Sequence, residues 1–118
     1  MRPLIYIQVH RGHFVAKHLG TGKTVRMECA GLNHPRTLMG DFHEVQEGFS
    51  AALKELLPKL NLLKPKGLVH LVPVFDGGYT NVETRAFKEA GEMAGIDFAF
   101  LSTLDRPHTD SEVLEVLR

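Results

Sequence analysis

Five sets of residues in this sequence have types and spacings that could do chemistry. Gly20-Thr21-Gly22-Lys23-Thr24 has the tail of a phosphate-binding loop. The motif also requires a Gly at position 17 and a helix to follow. Position 17 is a Lys and residues 25–29 alternate like a strand, so the stretch reads as a turn. His10 and His13 flank Arg11-Gly12, and two imidazoles there could share a metal. A firm site takes three or four ligands, and the spacing supplies no third, so they read as exposed histidines. Asp41, Asp76 and Asp105 could converge on a divalent cation that activates water, but each also suits a cap or a turn. Asp76-Gly77-Gly78-Tyr79-Thr80 could offer backbone amides to an anion; Asp76 would repel a phosphate, which favours a structural loop. Tyr6, Lys17 and Arg26, with Arg11 and Lys23 at the flanking turns, place an aromatic among cations. A single-strand nucleic-acid platform uses such a set, as does a protein contact surface.

The elements that must position these residues follow from periodicity. Residues 4–10, 13–19 and 24–30 are β-prone runs separated by Arg11-Gly12 and by Gly20-Thr21-Gly22-Lys23. Two-residue loops ending in Gly favour type I′ turns with both residues at positive φ. On that basis His10 pairs with His13, Val9 with Phe14, Ile7 with Ala16 and Ile5 with His18. In the second hairpin Ala16 pairs with Met27, Phe14 with Cys29 and Lys17 with Arg26. One face then collects Ile5, Ile7, Val9, Phe14, Ala16, Val25, Met27 and Cys29. The other, outer face collects Tyr6, Gln8, His10, His13, Lys17, Arg26 and Glu28. A one-residue slip would scramble this segregation.

Helix and strand alternate thereafter. Asp41 with Glu44 gives an N-terminal cap for a helix carrying Phe42, Val45, Phe49, Leu53 and Leu56, stopped by Pro58. Residues 67–75 are a near-continuous apolar run, which suits a strand covered on both faces until Pro73 interrupts it. Within it, His70 reads as a satisfied interior or edge group rather than a ligand, as does His18 in the second strand. Thr80 and Glu83 predict a capping box for a helix with the stripe Val82, Ala86, Phe87, Ala90, Met93 and Ala94, closed by Gly95. A short strand spans 96–101, and Thr109 with Glu112 caps a last helix over 110–117. The order β-β-β-α-β-α-β(-α) predicts an α/β fold with a mixed sheet and helices on its faces, the order of ribonuclease H-like and actin-like folds.

At 118 residues the chain is one domain's worth, expected as a single unit over 1–118: an antiparallel meander at 1–30, a crossover part at 41–104 and a tail at 105–118. With 43% hydrophobic and 24% charged residues it is neither a disordered tail nor a collagen-like repeat. A single Cys, Cys29, allows no internal disulfide and reads as a small core residue. The first residues lack a signal-peptide pattern, and no run reaches the ~20 apolar residues of a membrane span, so a cytoplasmic location is expected. Net charge is zero but polarised: residues 1–40 hold six Lys/Arg against Glu28, giving +5, and residues 41–118 carry −5.

Two stretches add a resemblance. His34-Pro35-Arg36-Thr37-Leu38-Met39-Gly40-Asp41-Phe42 resembles the lead-in to the first helix of the MreB-type, rod shape-determining bacterial actins. Val82-Glu83-Thr84-Arg85-Ala86-Phe87-Lys88-Glu89-Ala90-Gly91-Glu92-Met93-Ala94-Gly95 resembles their second helix. The resemblance covers residues 4–104 and implies one actin-like subdomain, with a cell-shape or cytoskeletal context. The family's phosphate loop between the first two strands has no counterpart in Val9-His10-Arg11-Gly12-His13, so no cofactor, no ATP binding and no catalytic residue are carried over.

The leading expectation is therefore a non-catalytic, MreB-like protein acting through contact with a protein partner or with itself. Its candidate surface is Tyr6, Lys17, Arg26, Arg11 and Lys23. One alternative is a ribonuclease H-like metal-dependent enzyme with a degenerate site at Asp41, Asp76 and Asp105. Another is a single-stranded nucleic-acid binder using the basic meander, a partner that the scarcity of aromatics disfavours.

Overall fold

Three short strands open the chain and build one half of the sheet. In the computed structural model, which describes residues 2–60 and 63–118, β1 (Leu4–His10), β2 (His13–His18) and β3 (Thr24–Glu28) form an antiparallel meander. The β1–β2 register is the expected one, from Ile5↔His18 to His10↔His13. The turn differs: among the described residues none other than Gly has positive φ, so Arg11 is not left-handed and, in this loop, Gly12 is, at φ 78°. A type I′ turn is thus excluded, yet the two-residue loop still fixes the register. The second hairpin is shifted by two residues from expectation. Phe14 pairs with Met27, Ala16 with Val25 and Lys17 with Thr24. The loop is longer than two residues: the His18 N–H donates to the Lys23 carbonyl and the Gly22 N–H to the His18 carbonyl. A slip of two preserves side-chain parity, so the two faces keep their membership although the partners change.

The second half supplies parallel strands and helices. After a 3₁₀ turn at Ala30–Leu32 come α1 (Phe42–Leu56), β4 (Lys66–Leu71), α2 (Asn81–Ala94), β5 (Phe98–Ser102) and α3 (Asp110–Leu117). Side-chain oxygens of Asp41, Thr80 and Thr109 accept the backbone N–H of Glu44, Glu83 and Glu112, so each helix starts where its cap predicts. Only α3 completes the reciprocal box. At α2 the Glu83 carboxylate turns away and accepts the N–H groups of Leu38 and Met39, both at 2.9 Å, clamping the α1 lead-in instead. Strand β4 ends at Leu71, ahead of Pro73, which cannot donate to a ladder.

The sheet order is β3-β2-β1-β4-β5, with β1–β4 and β4–β5 parallel. This is the mixed sheet the element order predicts. Helices α1 and α2 cover one face around Ile5, Ile7, Phe14, Phe49, Val69 and Phe87. Gly91 lets α2 approach closely, since a Cβ there would lie 3.3 Å from Val69 Cγ2. The α2 stripe is narrower than expected: Phe87, Ala90 and Gly91 are buried, whereas Val82 and Met93 are exposed. The opposite face carries a second, smaller cluster in which Tyr6 and Leu68 lie under Val113 and Leu117 of α3. This helix makes Tyr6 a core residue.

Candidate interaction surface

Of the five residues of the expected surface, Tyr6 is not on it, and the other four are each engaged within the chain. Tyr6 is 2% exposed, so no base can stack on it and no partner reaches it without moving α3. Lys17 Nζ bonds both carboxylate oxygens of Asp110 at 2.9 and 3.0 Å. Arg26 pairs with Glu28 on its own strand. Arg11 donates to the His34 carbonyl and lies 4.6 Å from the Phe75 ring centroid. Lys23 donates to the Glu55 carbonyl near the C-terminus of α1, where the helix dipole favours a cation. Parity put Tyr6, Lys17 and Arg26 on one face correctly; coverage by a helix from the far end of the chain was not readable from the strands.

What the structure does gather at that place is a polar cluster under the start of α3. His70 is fully buried in β4. Its Nε2 lies 2.7 Å from the Leu104 carbonyl, an acceptor, so Nε2 carries the proton. Its Nδ1, 2.7 Å from the Tyr6 hydroxyl, then accepts from Tyr6. The Tyr6 oxygen in turn accepts the His108 backbone N–H at 2.8 Å. Burial lowers the His70 pKa, the Leu104 bond opposes this, and the nearby His108 lowers it further. Burial likewise raises the Tyr6 pKa.

Ser102, His108 and Glu112 continue the cluster in the order of an acyl-transfer relay. Ser102 Oγ is 2.7 Å from His108 Nε2, but His108 Nδ1 is 3.9 Å from Glu112 Oε1 and has no hydrogen-bond partner. Both Glu112 oxygens are engaged by Arg106 at 2.9 Å, and Oε1 also by the Thr109 N–H. These bonds hold the Glu112 carboxyl down at about 2, the Arg106 bonds contributing most. The geometry ties residues 104–112 to the sheet.

The carboxylates of the metal reading are not brought together. Asp41 caps α1, Asp76 lines a cleft and Asp105 lies beyond β5. No group of three His, Cys, Asp or Glu able to hold a metal occurs among the described residues. Asp76 shares its cleft, of about 580 Å³, with Arg36, Phe75, Gly78 and Glu83, at the N-terminus of α2. Gly77 and Gly78 are both left-handed there, as the sharp turn into α2 requires. His10 and His13 stack with ring centroids 4.8 Å apart, on the expected register, and burial lowers the His10 pKa.

Sequence reasoning passed over the most exposed apolar feature of the sheet. Strand β5 is an edge strand, and Phe98 and Phe100 are 52% and 40% exposed. Phe100 is level with Leu68, so both rings project from the α3 side of the sheet. Arg2 pairs with Asp97 and its guanidinium lies 5.5 Å from the Phe98 ring centroid. An edge strand presents unpaired backbone groups, which makes it a template for added strands. The alternation of Phe98, Ala99, Phe100 and Leu101 was available as a signal; the edge position was not.

No family model and no curated protein matches this chain. Among solved structures it is similar to MreB 5 of Spiroplasma citri bound to AMPPNP, with a TM-score of 0.57 and 14% identity. The match covers 86% of this chain and 38% of that one. At this identity the likeness concerns the fold alone: the five-stranded mixed sheet with its three helices resembles a single actin-like subdomain, and no helix is long and apolar enough to cross a membrane among the described residues.

Proposed function

We propose that this chain is a non-catalytic, MreB-like actin-fold protein that works through protein–protein contact in a cytoskeletal or cell-shape context. The observation that carries the contact reading is the pair Phe98 and Phe100, exposed on an edge strand. Burying the exposed half of these two rings stabilises an interface by roughly 1 kcal/mol each, and strand addition would satisfy the open edge. The cytoskeletal context is supported by the likeness to MreB 5 and by the resemblance of residues 34–42 and 82–95 to bacterial actins.

Sedimentation equilibrium over a range of concentrations tests self-contact. The expected weight-average mass rises above the 13.2 kDa of one chain, and the double variant Phe98→Glu/Phe100→Glu returns it to the monomer with its circular dichroism unchanged. A wild-type mass that stays monomeric throughout counts against the β5 edge as a self-contact. The cleft beside Asp76 makes nucleotide the competing ligand to exclude. Calorimetry with ATP and Mg²⁺ is expected to give no heat of binding, and micromolar binding would overturn the reading.

A further inference from the structure

We propose that the Tyr6–His70–His108 cluster is a proton-operated latch, which holds α3 on the sheet at neutral pH and releases it on acidification. The inference is independent of the contact function. It rests on how the cluster spans the fold: Tyr6 comes from β1, His70 from β4, Leu104 and His108 from the connection leading to α3. The Leu104 carbonyl accepts from His70 Nε2–H, and the His108 N–H donates to Tyr6. Both ends of the connection are therefore fixed through one imidazole in its neutral form.

A proton added to His70 has nowhere to go without breaking this chain. Nδ1 becomes a donor, and the Tyr6 hydroxyl that donated to it loses its acceptor while still receiving the His108 N–H. Nε2 is already committed to Leu104. The His108 ring, its centroid 4.7 Å from that of His70, adds no negative charge. Ser102 and Gln8, which flank His70 in the β5 and β1 registers, are uncharged. His10 is a further histidine close enough to repel the charge. From α3 and its lead-in come Glu112, held by Arg106 and Thr109, and Asp110, held by Lys17; Lys66 of β4 donates to the Leu117 carbonyl. No carboxylate is among the hydrogen-bond partners of His70. A charged imidazole buried without a counter-ion, with the Tyr6 hydroxyl hydrogen left without an acceptor, is costly, and the escape is to detach residues 104–117 and admit water.

The sign follows from the depressed His70 pKa. Attachment is at full strength above the ordinary histidine value near 6.5. It weakens as the pH falls from there toward the lower folded-state value, because only the open form takes up the proton. Detachment of α3 uncovers Tyr6 and Leu68.

Amide hydrogen exchange of the whole chain at pH 7.5 and 5.0, corrected for intrinsic rates, tests the latch. Protection of the α3 amides is expected to fall at pH 5.0 by up to about 30-fold, the ceiling for one histidine titrating from 6.5. The α1 amides should keep theirs. In His70→Gln, a neutral side chain that has both a donor group and an acceptor group and does not titrate, α3 protection should no longer depend on pH, whereas His10→Asn should retain the loss. Constant α3 protection in the wild type overturns the proposal. So does an equal loss in His70→Gln, or a loss shared by α1, which would mean global unfolding. If His70→Gln does not fold, the wild-type His70 ring resonances decide: a ring that titrates at or above 6.5 with α3 still protected is incompatible with a latch.

Discussion

Both tyrosines are held as neutral phenols, for related reasons. Burial raises the pKa of Tyr6, which the His108 N–H bond only partly offsets. Burial, with the Glu83 carboxylate adding to it, pushes Tyr79 up to about 12, while its hydroxyl donates to the Pro73 carbonyl. A raised phenol pKa leaves stability untouched below pH 10 and erodes it as the pH climbs from 10 toward the folded value, since the unfolded chain ionises first. Spectrophotometric titration should therefore show no tyrosinate absorbance with a midpoint near 10 in the folded protein. It should appear only near pH 12 for Tyr79, or together with unfolding. A normal midpoint for either residue would place it in solvent. At this scale the sequence supplied parity, and so put Tyr6 on the correct face of β1. It did not supply coverage: the residues that bury Tyr6, Val113 and Leu117, lie more than a hundred positions away.

Helix α3 shows how an element too short to persist alone is kept in place. At eight residues it is below the length at which an isolated helix is stable in water. Its capping box, the Arg106–Glu112 pair and the burial of Val113 and Leu117 together compensate. Thr109→Ala removes the oxygen that receives the Glu112 N–H. The cost is about 1 kcal/mol. It should appear as a roughly fivefold faster exchange of α3 amides at pH 7.5, with α1 and α2 unaffected; an unchanged α3 would mean that the cap does not limit its opening. The helix starts were legible because Asp41, Thr80 and Thr109 each announce a cap through local chemistry alone. The capping box expected at Thr80 and Glu83 is only half formed, because Glu83 has a better use in binding Leu38 and Met39, an interaction spanning more than forty residues.

Over the whole molecule the charge polarity has a use within one chain. Arg2 and Lys17, from the +5 segment, pair with Asp97 and Asp110, from the −5 segment. Both pairs stitch the chain's end to its beginning. Being partly exposed, each is worth at most about 1 kcal/mol. A double-mutant cycle of Lys17→Ala and Asp110→Ala, read by urea unfolding, should give a coupling energy no greater than this and smaller at high salt. A coupling of several kcal/mol would show the pair to be far more desolvated than its geometry indicates.

The sequence by itself determined the element order, the helix starts, the parity of every strand in the meander and the β1–β2 register. These depend on neighbours within about ten residues: periodicity, a cap oxygen, a glycine at positive φ. A structure was needed for the rest. It set the two-residue offset of the second hairpin, the edge position of β5 with its exposed phenylalanines, and the descent of α3 onto Tyr6 and His70. Each of these depends on surfaces meeting across long stretches of chain, where the outcome is decided by which apolar area can be covered and which buried polar atom can find a partner.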